Sequence, residues 1–321
     1  MKKNFFYLAM AMCVAMCTLS CGSDDDDNGG GNTPQQYTYT KQKYADEATA
    51  FTIEEDHLIS TTETSFGETA SLTAINFTES GKAIFETTFK QTNGKKNVKY
   101  TTCDYDISGN TYTVKEDGKE IGTIVNNGTR AASEGVMITI NLKLKIGGVE
   151  YPFITDTPVD AVHMLEGLAA SDGLTNITRT WKVSRMVLTL RFDKGDDPSV
   201  KVDGGKLSKF QILAEDNGII LKEEDRTALN REILGITLDK QGLFTITYSD
   251  KYNDAANWTW QAGSNGGKIN LRLKDEEMGN KFLENTTTIE AEYAGDNKIN
   301  LYLTTRLESD KCTAIMILNL Y

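Results

Sequence analysis

Cys21 follows Thr18, Leu19 and Ser20 and precedes four aspartates, Asp24 to Asp27. A small residue followed by Cys is the substrate of a lipoprotein signal peptidase. The thiol first takes a diacylglycerol thioether, and cleavage then leaves that Cys as an acylated N-terminus. Met1-Lys2-Lys3 is positive and Phe5 to Leu19 is almost wholly apolar. That run has the length of a secretory leader core and falls short of the roughly 20 residues of a spanning helix. Cys13 and Cys17 follow Met12 and Met16, a poorer context. Cys21 is therefore the expected lipidation site, and the membrane the expected first partner, held through buried acyl methylenes.

The remaining candidates for chemistry are sparse. Only His57 and His163 occur, which excludes His-rich zinc sites and removes the usual general base from most of the chain. His163 is expected on the apolar stripe of a junction helix, and His57 at the surface. No nucleophile elbow, zincin helix, phosphate loop or dinucleotide fingerprint occurs, so no cofactor is implied. Asp104 and Asp106, and Glu290 and Glu292, stand at i, i+2 and share a strand face. A glycosidase needs two such acids a few ångströms apart in a cleft. Here they alternate with apolar residues, which turns them toward solvent. Residues 193–205, DKGDDPSVKVDGG, have oxygen ligands at calcium-like density but not EF-hand spacing. They are expected to be a plain turn, and no metal is assigned. Cys103 and Cys312 sit on the apolar side of alternating runs and are expected as two separate buried thiols. A bridge between them is the alternative in an oxidising compartment.

Aromatic residues form the more informative set. Trp258 and Trp260 are two apart on one expected strand and so point the same way. Inside a barrel they would line a cavity or fill it. Outside, they would form a platform on which sugars stack. With Trp181 and Tyr248 they are the candidate ligand-binding residues, and Tyr252 lies close by in sequence.

The charge limits the partners further. The formal charge of −12 becomes −14 once Lys2 and Lys3 leave with the leader. An acidic chain with no basic tract is a poor nucleic-acid binder, so no nucleic acid is expected as a partner. Anionic headgroups would repel it too, which leaves membrane attachment to the acyl group.

The elements that must position these residues read as strands. Thr, Ile, Val, Tyr and Phe alternate with polar residues between Gly, Asn and Asp turns. In residues 135–153, Ile138, Ile140, Leu142, Leu144 and Ile146 face one way, and Gly147-Gly148 suits a two-residue hairpin turn. The chain also repeats. Ile75, Phe77 and Gly81 recur as Ile236, Leu238 and Gly242, and Ile138, Ile140 and Leu142 as Ile299, Leu301 and Leu303, all at one offset of 161 residues. A shared offset at two separated anchors implies tandem copies. Between them, residues 105–114 answer residues 260–271. A short helix is expected in the junction 157–176, starting at Pro158 and stopping at Gly173, and further helical sequence near 206–215 and 222–232. The second copy begins with a long strand over 178–192. The expected organisation is a leader over 1–20, an acidic Gly/Asn-rich linker over 21–35, a first β-domain over 36–158 and a second over 159–321.

Two resemblances extend this reading. The stretch CGSDDDD resembles the start of Bacteroidetes lipoproteins, in which an acidic run after the lipidated Cys accompanies export to the cell surface. That implies an outer-membrane location facing the exterior. RTWKV at the opening strand, a helical segment, and a meander containing NWTWQ are similar to the lipocalin-like domains of such lipoproteins. Trp181 matches the Trp of the Gly-x-Trp motif on the first lipocalin strand, with Arg179 in place of the Gly. In the first copy, Tyr37 and Tyr39 are the nearest candidates for that Trp. The resemblance implies an all-β chain of two tandem meander barrels with a few short helices; two β-sandwiches are the alternative. Three functions remain open: a binder of a small apolar ligand or glycan fragment without catalysis, an accessory subunit of an outer-membrane uptake or adhesion complex, and a hydrolase.

Overall fold

A computed structural model describes residues 37–39, 44, 49–53, 59–60, 69–90, 94, 96–129, 136–162, 173–221, 223–250, 253–273, 287–307 and 312–321. Cys21, His57, His163 and Tyr252 lie outside the described residues. The first sheet contains β1 (Thr49–Thr52), β2 (Ile59–Ser60), β3 (Thr69–Phe77), β4 (Lys82–Lys90), β5 (Lys96–Ser108), β6 (Thr111–Glu116), β7 (Lys119–Thr129), β8 (Val136–Ile146) and β9 (Val149–Val162). Each neighbouring pair is antiparallel, and β1 bonds to both β9 and β3. Eight strands thus close into an up-and-down barrel, with β2 as a short addition beside β3.

The second sheet repeats the plan. It contains β10 (Thr180–Phe192), β11 (Ser199–Asp203), β12 (Ile233–Leu238), β13 (Leu243–Tyr248), β14 (Asn253–Gly263), β15 (Gly266–Leu273), β16 (Thr287–Tyr293), β17 (Ile299–Leu307) and β18 (Cys312–Leu320). Pairing of β10 with β12 and with β18 closes eight strands, while β11 lies beside the far half of β10. Three short helices accompany it: α1 (Leu174–Ile177), α2 (Ser208–Asp216) and α3 (Glu223–Leu229). The tandem-barrel reading therefore holds, and the sandwich alternative is excluded by the two ring closures.

Alternation sets the strands. On β8 every second residue from Val136 to Ile146 is buried, while Lys143 and Lys145 are exposed. Gly147 and Gly148, with φ of 60° and 87°, turn the chain into β9 as the left-handed hairpin requires. Each barrel encloses its own apolar core. Cys312 lies in one and Cys103 in the other as separate thiols.

The offset of 161 residues is the register of the two barrels. It carries β3 onto β12, β4 onto β13 and β8 onto β17. Phe51 pairs with Ile75, and Trp181 pairs with Ile236, the equivalent of Ile75. Phe51 is thus the first barrel's counterpart of Trp181, in place of Tyr37 or Tyr39. No local motif marks it, because β1 is a four-residue strand.

The junction differs from expectation. Val149 to Val162 forms one strand, with Tyr151, Phe153, Thr157 and Val159 buried in alternation, so no helix starts at Pro158. The first barrel extends through Val162, which pairs with Ala50. Among the described residues β1 meets β9 only at 160–162, past Pro158. Gly173, expected as a helix stop, instead caps the start of α1 with φ 72°.

Candidate functional site

All four candidate aromatics lie in the core of the second barrel. Trp181 and Tyr248 are fully buried, and Trp258 and Trp260 are 2% and 5% exposed. A sugar-stacking platform on the outside is therefore not what Trp258 and Trp260 form. Along β14 the two tryptophans are buried while Thr259 and Gln261 are exposed. Gly267 on the neighbouring strand makes room, since a Cβ there would stand 2.6 Å from the Trp260 ring. The polar ends of the other three are used internally. Trp181 Nε1 donates to the Ile177 carbonyl (2.9 Å), Trp258 Nε1 to the Asp239 carbonyl (2.9 Å), and the Tyr248 hydroxyl to Asp254 Oδ2 (2.7 Å). Burial pushes the Asp254 carboxyl up, while the Tyr248 bond and the Arg231 charge pull it back.

The first barrel repeats one of these bonds with a different residue. Tyr105 on β5 occupies the position of Trp258, and its hydroxyl donates to the Thr78 carbonyl (2.8 Å), 161 residues before Asp239. Both aromatics also donate their main-chain N–H to the equivalent glycines, Tyr105 to Gly81 and Trp258 to Gly242. These side chains tie a β-hairpin to the barrel wall in each copy.

The paired carboxylates are engaged locally. Asp104 meets Lys82, and Asp106 meets Lys115 and accepts from the Tyr44 hydroxyl. Glu290 lies 3.9 Å from Lys268, and Glu292 accepts from the Tyr302 hydroxyl. In residues 193–205, Asp197 and Asp203 pair with Arg191 (3.3 Å) and Arg185 (3.2 Å). Among the described residues no group of three or more His, Cys, Asp or Glu is placed to hold a metal.

The site that sequence reasoning missed lies between the barrels. The repeated hairpins, β3–β4 and β12–β13, meet face to face. Asn76 Nδ2 donates to Asp239 Oδ2 (3.0 Å), and the Ser80 and Thr180 hydroxyls are 2.6 Å apart. Farther along, Thr102 donates to Asn253 Oδ1 (2.9 Å), and Asn253 Nδ2 donates to the Tyr100 carbonyl (3.0 Å). Ile84, Leu243 and Ala255 form a small apolar cluster with Tyr100 against it. Strand pairing makes Asn253 the equivalent of Tyr100 and Ala255 that of Thr102. Each barrel thus offers the same face to the other, an approximate two-fold.

At one end of this seam sits Glu79, 1% exposed, with neither carboxyl oxygen in a hydrogen bond of good geometry. Burial pushes its carboxyl up, and the nearby Lys240 charge and Thr178 hydroxyl offset part of that. The N-terminal segment crosses here. Thr38 N donates to Asp296 Oδ1 (2.7 Å), Tyr39 packs edge-on to Trp181 (6.4 Å), and the Arg179 guanidinium lies 5.5 Å from the Tyr39 ring. Tyr44 then donates its N–H to the Glu79 carbonyl (3.3 Å) on the first barrel.

The other end of the seam opens into a cleft of about 430 Å³. Lys99, Tyr100 and Thr101 on β5, Glu116, and the turn Lys145–Gly148 line its first-barrel side, and Asp250 comes from the second barrel. Asp250 is fixed by Arg231 Nε at 2.9 Å, and that guanidinium lies 5.4 Å from the Tyr248 ring. Tyr248 is thus the one sequence candidate connected to the cleft. The Tyr100 hydroxyl is held by Glu86 Oε2 (2.9 Å), which fixes its ring at the wall.

No family model matches the chain, and no curated protein does. Among solved structures, a double mutant of transferrin-binding protein B from Haemophilus parasuis Hp5, a vaccine antigen, is similar at 7% identity and a TM-score of 0.23. The match covers 83% of this chain and spans 66% of that protein's length.

Proposed function

We propose that the chain is a binding protein, anchored through acylated Cys21 at the outer membrane and facing outward, whose ligand sits in the cleft between its barrels. The observation that carries this reading is the contrast between interior and seam. The aromatic interiors are packed and use their own polar groups, whereas a cleft of about 430 Å³, lined by the open end of the first barrel and by Asp250 of the second, opens beside the seam. That volume is within the range of small-molecule sites. Its lining combines charged groups from Lys99, Lys145, Glu116 and Asp250 with a larger share of apolar surface, a mixture suited to a glycan fragment, whose hydroxyl groups and C–H faces meet both. In this reading Trp181, Trp258 and Trp260 fill the core of the second barrel, and Tyr248 supports Asp250 through Arg231. The carboxylates bound to neighbours on their own sheets support binding without catalysis.

A thermal-shift series on the detergent-solubilised chain tests this, with plant and host oligosaccharides in one arm and fatty acids and bile salts in the other. A ligand at a hundred times its Kd adds about 2.7 kcal/mol, a shift of several degrees for a protein of this size. An oligosaccharide should raise the midpoint, and Thr101→Trp, which fills the cleft, should abolish the rise. A fatty-acid shift that survives Thr101→Trp would place the ligand inside a barrel and end the cleft reading.

A further inference from the structure

We infer that the cleft selects an oligosaccharide carrying an acidic group, with its carboxylate or sulfate held between Lys99 and Lys145. This inference rests on the cleft being the binding site. The chain as a whole carries a formal charge of −12, so its general field repels anions. One end of the first barrel departs from that. Lys99 on β5 and Lys145 on β8 both line the cleft. Lys90 and Lys96 stand directly opposite in the β4–β5 ladder.

The two lysines that line the cleft are presented by rigid elements. Lys99 is on β5 with its ammonium 4.7 Å from the centre of the Phe89 ring, and Phe89 is buried in the core. Lys145 is on β8 two residues before the Gly147-Gly148 turn. Across from them stand two carboxylates, Glu116 and Asp250. This mixture defines the ligand. Ammonium groups donate to an acidic substituent, and carboxylates accept from hydroxyl groups. Tyr100 and Ile146 offer apolar surface to the C–H face of a pyranose. Gly147 and Gly148 lack a Cβ, so a sugar can approach the turn's main chain. Glu116 and Asp250 would repel a polyphosphate or any densely charged chain. A sugar with many hydroxyls and one or two negative charges meets both halves of the lining.

Calorimetry on the full detergent-solubilised chain decides the matter, with three trisaccharide probes: 3′-sialyllactose, a monosulfated maltotriose and neutral maltotriose. At least one acidic probe should bind, with maltotriose at least tenfold weaker. Lys99→Ala and Lys145→Ala should each weaken acidic binding about tenfold, the scale of one charge-assisted hydrogen bond, while Lys99→Arg retains most of it. Affinity should also fall as salt is raised. Lys145 is on the outer face of β8, and Lys99 is on the inward face of β5 at the barrel's open end, over the Phe89 ring, so an unchanged melting curve would confirm that each variant folds. Maltotriose binding as tightly as the acids, or lysine variants without effect, overturns the acidic selection; if Thr101→Trp still abolishes that binding, the cleft reading stands. Acidic binding that survives Thr101→Trp overturns both. Silence from both acidic probes also overturns the selection.

Discussion

Glu79 is a carboxyl group placed where its charge is costly. Its side chain is buried between the barrels, and the groups facing it are Lys240 from the β12–β13 turn, the Thr178 hydroxyl and, farther off, Arg179 before β10. Asp239 on the same turn is already engaged by Asn76 Nδ2 and the Leu243 N–H. Burial raises the Glu79 carboxyl in the folded state above its ordinary value. Between those two values the native protein holds a proton that the unfolded chain has released, so stability falls as pH rises through that window. The contribution is fully present below the ordinary carboxylate range and lost above the folded value. Glu79→Gln removes the ionisation and keeps the shape. Its stability should exceed that of the parent at pH 8, by ~1–3 kcal/mol on the scale of a buried uncompensated polar group, and converge with it at pH 4. A parallel pair of curves across that range would show that Glu79 is not the titrating group. Glutamate at 79 gave no such sign in sequence, where TESGK reads as an ordinary exposed turn.

At the scale of elements, the N-terminal segment does more than connect a tether to the first barrel. Sequence spacing assigned residues from 36 onward to the first domain, yet Tyr37 and Tyr39 pack on Tyr293 and Trp181 of the second barrel, and Tyr44 reaches the first. The segment is a strap across the seam. Tyr39→Ala should remove two aromatic contacts and one cation–π contact, a loss of ~1–3 kcal/mol. All three tryptophans are in the second barrel, so intrinsic tryptophan fluorescence reports that barrel alone. Its midpoint should fall in the variant; an unchanged midpoint would mean that the strap adds nothing to the second barrel. The β3–β4 and β12–β13 hairpins show the opposite case, in which sequence was informative. Their shared Gly turn and apolar spacing were visible as the 161-residue offset. Their different locks, Tyr105 and Trp258, were not, because a phenol and an indole share no sequence signature while serving as donors to equivalent carbonyls.

The whole molecule is two copies docked through one face of each, and the tether leaves from the strap end of that seam. The cleft is at the opposite end. Among the described residues no helix is long and apolar enough to cross a membrane. The proposed anchor is Cys21. Cys21→Ala should leave an unprocessed or soluble chain that takes no label from radioactive palmitate. If the variant still fractionates with membrane and still labels, Cys21 is not the anchor.

Period-two alternation within each strand was enough to establish an all-β chain, the face of β8 that is buried and the two buried thiols, and the 161-residue offset established the duplication. Burial of alternate side chains is a property each strand carries alone. The direction of the Trp258 and Trp260 face was not decided by alternation, because a strand with two like faces can present either to the core. Barrel closure decided it, through the opposing Gly267 and the Asp239 carbonyl. Closure likewise drew Pro158 into β9, where residues 160–162 found β1 as a partner. The seam, the cleft and the buried Glu79 join residues about 150 positions apart, such as Tyr100 and Asn253. No local pattern encodes such a meeting, since each partner, read in its own strand, belongs to a surface that the second barrel then covers.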